Sequence, residues 1–232
     1  MGYLEDERSF RDAAAADYDD TFGSYQTREE RATVATAPVW GRVLDHGSGT
    51  ARFADLLVGR ASQLVALDLS AASLAIAGRR GEEVVQGSVI SLPFRSGAFD
   101  AVVSVQVLEH LLDPEHLAEA LREVDRVLAV GGTATLTVYN LHLFDRVRGR
   151  RAEDTPSHRF VRHSRAALAA LLHEAFDGAS ITIRGQCHFL RRGTGAPSRW
   201  PRAESVVRRL PASHHLASFL VAEVRKVSGH HC

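Results

Sequence analysis

The stretch Val43-Leu44-Asp45-His46-Gly47-Ser48-Gly49-Thr50-Ala51-Arg52-Phe53 constrains this chain more than any other. An apolar run ends in an acid, passes two glycines at alternate positions and enters a helical pattern. That order describes a buried strand, a tight turn and a helix whose N-terminus opens onto a ligand. Gly47 and Gly49 carry no Cβ, so the main chain there can turn sharply and approach a ligand closely. Asp45, at the strand end, can accept hydrogen bonds from that ligand. Many α/β proteins contain such a turn, so its use is decided by the rest of the chain.

Around it, strands and helices alternate. Residues 6–37 read as helical, broken near Asp20-Thr21-Phe22-Gly23 and ended by Pro38 and Gly41. The first strand is Arg42–Asp45, followed by the turn and a short helix through Leu57. Gln63–Asp68 is a nearly continuous apolar strand, of the kind covered on both faces in parallel sheets. Ser70 can cap a helix over Ala71–Arg80. A weaker strand over Glu82–Gln86 is followed by a loop, Gly87–Phe94, and then by a fourth strand, Phe99–Val105.

Asp113 as N-cap and Pro114 at the first helical position start a helix with a stripe of Leu117, Leu121, Val124 and Leu128. Gly131-Gly132 is expected to stop it before a fifth strand, Thr133–Tyr139. Ser164–Ala175 reads as a capped amphipathic helix. Ala179–Phe189 and Ala217–Val224 read as late strands forming an antiparallel edge hairpin, with a loop and a short helix around Ala203–Leu210 between them. The alternation predicts a doubly wound α/β sheet. Ligands of such sheets sit beyond the strands' carboxyl ends, at the switch point, which selects Asp45–Gly49, Asp68 and Val105–His110.

Composition narrows the class. Apolar residues make up 45% and charged residues 24% of 232, as in globular proteins, and no apolar run reaches the roughly 18 residues of a membrane span. The N-terminus lacks a secretory apolar region, and Cys187 and Cys232 make no disulfide framework; a cytoplasmic protein is expected. Net charge is zero, yet residues 1–140 carry 21 acids and 12 bases while residues 141–232 carry 7 and 16. That asymmetry could mark a face for an anionic substrate. With 27 Arg to 1 Lys, it equally fits a coding bias, and a neutral total argues against a dedicated nucleic-acid binder.

Asp68 lies 19 residues beyond Gly49, the placement of an acid that grips ribose hydroxyls. A dinucleotide site is disfavoured twice: position 52 is Arg where the third glycine of that fingerprint belongs, and Asp45 would repel a pyrophosphate. Val43–Ala51 instead resembles motif I of class I S-adenosylmethionine-dependent methyltransferases. Leu64–Leu69, Leu92-Pro93-Phe94 with Phe99–Val103, Val107–Pro114, Arg126-Val127-Leu128 and Gly131-Gly132 resemble the family's later motifs, in the branch that acts on small molecules. The resemblance covers roughly residues 10–190. It implies a Rossmann-like, doubly wound seven-stranded sheet, mostly parallel, with an antiparallel C-terminal edge hairpin. A single domain over 1–232 is expected, with a helical cap at 1–40, a cofactor-binding core at 41–140 and an acceptor-side segment at 141–232.

By that resemblance, S-adenosylmethionine is the cofactor and S-adenosylhomocysteine its product. Gly47, Ser48 and Gly49 would pack on the methionine portion, with Asp45 engaging its ammonium. Asp68 would bind the ribose and Leu69 the adenine face; Ser88 and Val89 would meet the adenine edge. Val105 and Gln106 would contact the amino-acid end, and Tyr18 would cover the site. The chain departs from the family pattern at Ala51 (usually Gly), Ser88 (often an acid) and Val130 (usually Pro).

For the acceptor side, His110, just after strand four, and His142, after strand five, are the candidate bases, with Tyr139 and Asn140 as pocket residues. Glu153–Arg165, flanked by His158 and His163, reads as a possible lid. Arg146, Arg148, Arg150 and Arg151 could hold an anionic acceptor or simply form a solvated helix end. His230-His231-Cys232 reads as a tail, and no metal site is expected. The expected activity is methyl transfer to O, N or C of a small molecule, with secondary metabolism as a setting. The alternatives are an RNA or protein methyltransferase, and an inactive cofactor-binding partner subunit.

Overall fold

In the computed structural model, β1 (Arg42–His46) lies between β2 (Gln63–Asp68) and β4 (Phe99–Val105), parallel to both. The residues described are 2–18, 25–80, 82–155, 158–188, 215 and 217–227. Among them, the main sheet has seven strands in the order β3-β2-β1-β4-β5-β9-β8, where β3 is Glu83–Gln86, β5 Leu128–Tyr139, β8 Ser180–His188 and β9 Ala217–Arg225. Strands β1 to β5 run parallel, and β9 is antiparallel to both β5 and β8. This is the Rossmann-like sheet with an antiparallel C-terminal hairpin. The order reverses between β1 and β4, which places the switch point at the glycine turn.

Both faces are covered. On one, α5 (Pro114–Val127) and α7 (Arg165–Ala175) bury Leu117, Leu121, Val124, Leu168 and Leu172 against Leu44, Val65, Leu67 and Val102. On the other, α2 (Tyr25–Thr36) and α3 (Ala54–Leu57) bury Val34, Phe53 and Leu57 against Val43, Leu64, Ala101 and Val103. Strands with apolar residues on both faces are why β1, β2 and β4 read as unbroken apolar runs. Each fully buried Leu or Phe contributes about 1.5–3 kcal/mol.

The helix caps fall where the sequence puts them. Asp113 accepts from the amide of Glu115, Ser70 from Ser73 and Ser164 from Ala167. The helix after Ser70, α4, keeps α-geometry over Ala71–Ala77 and tightens to a 3-10 turn over Gly78–Arg80. Ser70 also donates to Asp12 Oδ1 at 2.6 Å, and Asp12 Oδ1 accepts from the amide of Ala72. Asp12 belongs to α1 (Gly2–Ala14), so the N-terminal helix is tied to the start of α4.

Three expectations need correction. The first helix begins at Gly2, ahead of residue 6. Gly131-Gly132 does not stop α5, which ends at Val127; the extended backbone of Leu128 starts β5 at once. The pair sits at a shift in the β4–β5 register, where a Cβ on Gly132 would lie 2.9 Å from the carbonyl oxygen of Asp100. Finally, part of the expected lid segment is an antiparallel hairpin, β6 (Ala152–Thr155) with β7 (His158–Val161). Ala-Glu-Asp-Thr lacks a strand pattern of its own, and its extended form comes from pairing with β7.

α6 (Leu143–Val147) precedes that hairpin. The break at 20–23, the helix at 203–210 and the tail at 230–232 lie outside the described residues. No described helix is long and apolar enough to cross a membrane.

Candidate active site

A cavity opens at the carboxyl ends of β1, β2 and β4. Its lining includes Tyr18, Asp45, Gly47, Ser48, Gly49, Asp68, Leu69, Ser88, Val89, Val105, Gln106 and His110, the residues selected from sequence on the donor side together with the first candidate base. The turn that shapes it is held from below: the amides of Gly47 and Ser48 both donate to the carbonyl of Leu67, at 2.8 and 3.0 Å. Asp68 braces it from the side, accepting from the amides of Gly49 and Ser70 at 2.8 Å each, one on each carboxylate oxygen.

The two glycines serve different ends. Both have positive φ, +72° at Gly47 and +55° at Gly49. A Cβ on Gly47 would fall 2.5 Å from Val107 Cγ2, whereas one on Gly49 would meet nothing within 4 Å. Gly47→Ala is therefore expected to lose about 2–4 kcal/mol of stability, combining left-handed strain with a clash against the half-buried Val107 in the cavity wall. Gly49→Ala should lose only the strain, about 1–2 kcal/mol, while its methyl group enters the space where a ligand would lie. Chemical denaturation with ligand titration separates the two. Ala51, at φ +57°, shows that this backbone tolerates one alanine in the left-handed region.

Electrostatically the site is unusual for its buried carboxylates. Asp45 is 3% exposed, and its Oδ2 has no hydrogen-bond partner. Burial raises its pKa, the charge of Asp68 adds to the rise, and Arg52 opposes it. Asp68 is raised by burial, against the backbone bonds from Ser70 and Gly49. Gln106, at φ +60°, presents a buried Nε2 donor without a partner, its amide being bonded to Thr137 Oγ1. A residue held in this backbone region beside a cavity is a functional candidate.

His110 closes the cavity from the 3-10 turn Leu108–His110. Its Nδ1 lies 2.7 Å from the carbonyl oxygen of Arg159 on β7. A carbonyl only accepts, so Nδ1 carries the hydrogen and the neutral ring keeps its lone pair on Nε2. The hairpin thus sets the tautomer that can act as a base.

Other acceptor-side candidates fall elsewhere. His142 is not in the lining; its Nε2 lies 3.0 Å from Asp145, which also pairs with Arg162. Tyr139 packs against Phe160 and Phe219, and Asn140 donates to the carbonyl of Ala217. His163 is buried, its amide bonded to the carbonyl of Tyr139, and only the backbone of His158, in β7, is described. Arg146, Arg148, Arg150 and Arg151 are exposed and outside the lining. Conversely, Glu7, Arg11, Arg52 and Phe53 line the cavity without having been selected. Glu7 and Arg11, four apart on α1, carried a readable signal as an i,i+4 pair.

Comparison with known proteins gives this cavity a context. Residues 44–136 match the family model described as "Methyltransferase domain". "Probable tRNA methyltransferase 9B" of Mus musculus is 35% identical over 97 residues, 42% of this chain and 21% of that protein. A "Probable S-adenosylmethionine-dependent methyltransferase" of Mycolicibacterium smegmatis is 32% identical over 143 residues, 61% of this chain and 52% of the relative. The matches thus span between a fifth and about half of these relatives' lengths. Among solved structures, the "DhpI-SAM-HEP complex" superposes with a TM-score of 0.70 at 24% identity, covering 97% of this chain and 98% of that one. At that identity the likeness is one of fold.

Proposed function

We propose that this chain, which carries a class I S-adenosylmethionine-dependent methyltransferase domain, methylates a small molecule on O, N or C and releases S-adenosylhomocysteine. The observation that carries this reading is the unpartnered Oδ2 of buried Asp45 beside the open face of Gly49. The residues fit the cofactor: Asp45 offers its oxygen to the ammonium, Asp68 its carboxylate to the ribose hydroxyls, and Leu69 an apolar surface to the adenine. When bound, the cofactor supplies a methyl group on a positively charged sulfur. The chain's own task is to position the acceptor and, for a hydroxyl or ammonium, to remove a proton. His110 is the candidate base, receiving that proton at Nε2.

Small-molecule acceptors are favoured by the name of another relative, the "2-phytyl-1,4-naphtoquinone methyltransferase" of Thermosynechococcus vestitus, 35% identical and matched over 46% of its length, whereas the tRNA enzyme is matched over a fifth of its length. Transfer to RNA is the second reading, favoured by that relative's name and by the excess of bases over residues 141–232. It requires retention on RNA that collapses with salt. A partner subunit without activity of its own would bind cofactor yet turn over only with another chain. The same reading takes residues 1–232 as one cytoplasmic domain, with cap, core and acceptor side at 1–40, 41–140 and 141–232.

Calorimetry with S-adenosylhomocysteine tests the donor site, and the absence of binding up to about 1 mM overturns it. Transfer from labelled cofactor to a panel of small acceptors and to tRNA tests the rest. Ser88 gives a graded check. Its hydroxyl is a weaker acceptor than a carboxylate for the adenine amine, so Ser88→Asp should tighten S-adenosylhomocysteine binding by about 1 kcal/mol, roughly fivefold. Unchanged affinity would remove Ser88 from the adenine edge.

A further inference from the structure

Between the end of β5 and the hairpin, the chain turns its acid inward and its aliphatic and cationic side chains outward. On α6, Leu143 and Val147 stand one turn apart on the same face, and they are 47% and 79% exposed. Asp145, midway between them and therefore on the opposite face, is buried, its Oδ2 3.0 Å from His142 Nε2 and 3.2 Å from Arg162 Nε. Arg146 donates from Nε to the carbonyl of Leu141 at 3.1 Å, and Arg148, Arg150 and Arg151 follow in the turn after α6, all four exposed. The hairpin ties this surface to the cavity. The amide of Arg162 donates to the carbonyl of Arg151 at 2.8 Å, and three residues back along the chain Arg159 sets its own carbonyl against His110. Three residues of strand span about 10 Å.

Residues 141–152 hold four arginines and one acid, and that acid is the one turned inward, so the surface complements an anion. Cations alone suit any polyanion; the aliphatic pair narrows the choice. Side chains such as Leu143 and Val147 gain nothing from a phosphate backbone, whereas a bilayer surface has acyl chains just beneath its anionic headgroups. RNA calls for open rings on which bases stack, and Tyr139 and Phe160, the rings described here, pack on each other with centroids 4.6 Å apart. We propose that α6 and the turn after it dock this chain on an anionic lipid surface. Leu143 and Val147 enter the acyl boundary, Arg146, Arg148, Arg150 and Arg151 pair with lipid phosphates, and the cavity end of the sheet faces the bilayer. Arginine suits both parts of the task, because its planar fork engages phosphate oxygens in pairs while its stem lies along apolar surface. With so few aliphatic groups, the attachment is reversible and sensitive to salt.

The test is co-sedimentation of the full chain with vesicles of phosphatidylcholine alone and of phosphatidylcholine and phosphatidylglycerol in equal parts. Binding is expected to the mixed vesicles only, and to fall as salt is added. Arg148→Gln/Arg150→Gln should weaken it about 25-fold, or about fivefold for each cation removed. Leu143→Ser/Val147→Ser should weaken it about tenfold. All four positions are exposed, so the fold is not at stake in either variant. No sedimentation with the mixed vesicles, equal sedimentation with both kinds, or sedimentation that the serine pair leaves unchanged overturns the proposal. The rival is read on immobilised RNA: retention that the serine pair leaves unchanged, without vesicle binding, assigns the arginines to RNA. The measurement needs neither cofactor nor turnover, so its failure leaves the donor site untouched.

Discussion

Replacing Asp68 by Ala is expected to weaken S-adenosylhomocysteine binding about 100- to 1000-fold and to lower stability by about 2–4 kcal/mol. Both effects come from the same two oxygens. Each already accepts a main-chain N–H, from Gly49 and from Ser70, at 2.8 Å, and each keeps a second lone pair, which the proposed site gives to a ribose hydroxyl. Losing two charge-assisted bonds to the ligand accounts for the affinity. Leaving two largely buried amides without acceptors accounts for the stability. Asp68→Asn separates the contributions, because its amide retains one acceptor oxygen and turns the other position into a donor. It should fall between wild type and Asp68→Ala in both measurements, read by calorimetry and by denaturant titration. An Asp68→Ala protein that binds within tenfold of wild type would remove Asp68 from the ribose site.

The cavity lining at the carboxyl ends of β1, β2 and β4 was legible in the sequence because it is local. A strand that ends in an acid, a glycine turn and a second strand that ends in an acid are each read within a few residues. Parallel pairing in register, Asp45 with Ala66 and His46 with Leu67, then brings their ends together without help from distant segments. The placement of the side chains expected on the acceptor side depends on contacts that no short window contains. His142 has the right strand end but turns to Asp145, three residues on. Tyr139 is drawn into an aromatic cluster with Phe160 from β7 and Phe219 from β9. The carbonyl that sets the tautomer of His110 comes from Arg159, 49 residues away. Arg52 was visible only as a glycine that is absent. Its partner Glu30 lies on a helix whose own pattern has no strong apolar stripe, and only the packing of α2 against α3 reveals the pair.

Glu109→Gln is expected to stabilise the protein at alkaline pH, by about 3–5 kcal/mol at pH 9 and about 10 °C in melting temperature. Glu109 sits in the 3-10 turn beside His110, fully buried, with neither carboxylate oxygen hydrogen-bonded. Burial raises its pKa from 4.5 to about 8; Glu30 on α2 adds to the rise and Arg11 on α1 opposes it. The unfolded chain releases this proton near 4.5, while the fold keeps it to about 8. Between those values the folded state binds the extra proton, so this group's contribution to stability falls as pH rises and its full penalty stands above pH 8. Gln fills the same volume with no proton to lose, so the variant should match wild type near pH 4 and diverge from it through that window. Asp45, Glu30 and Glu82 are raised in the same direction, chiefly by burial, and remain in both proteins; the difference between the two curves therefore reports Glu109. Melting curves that stay parallel from pH 4 to pH 9 would show that Glu109 is ionised in the fold, with its charge compensated by neighbours.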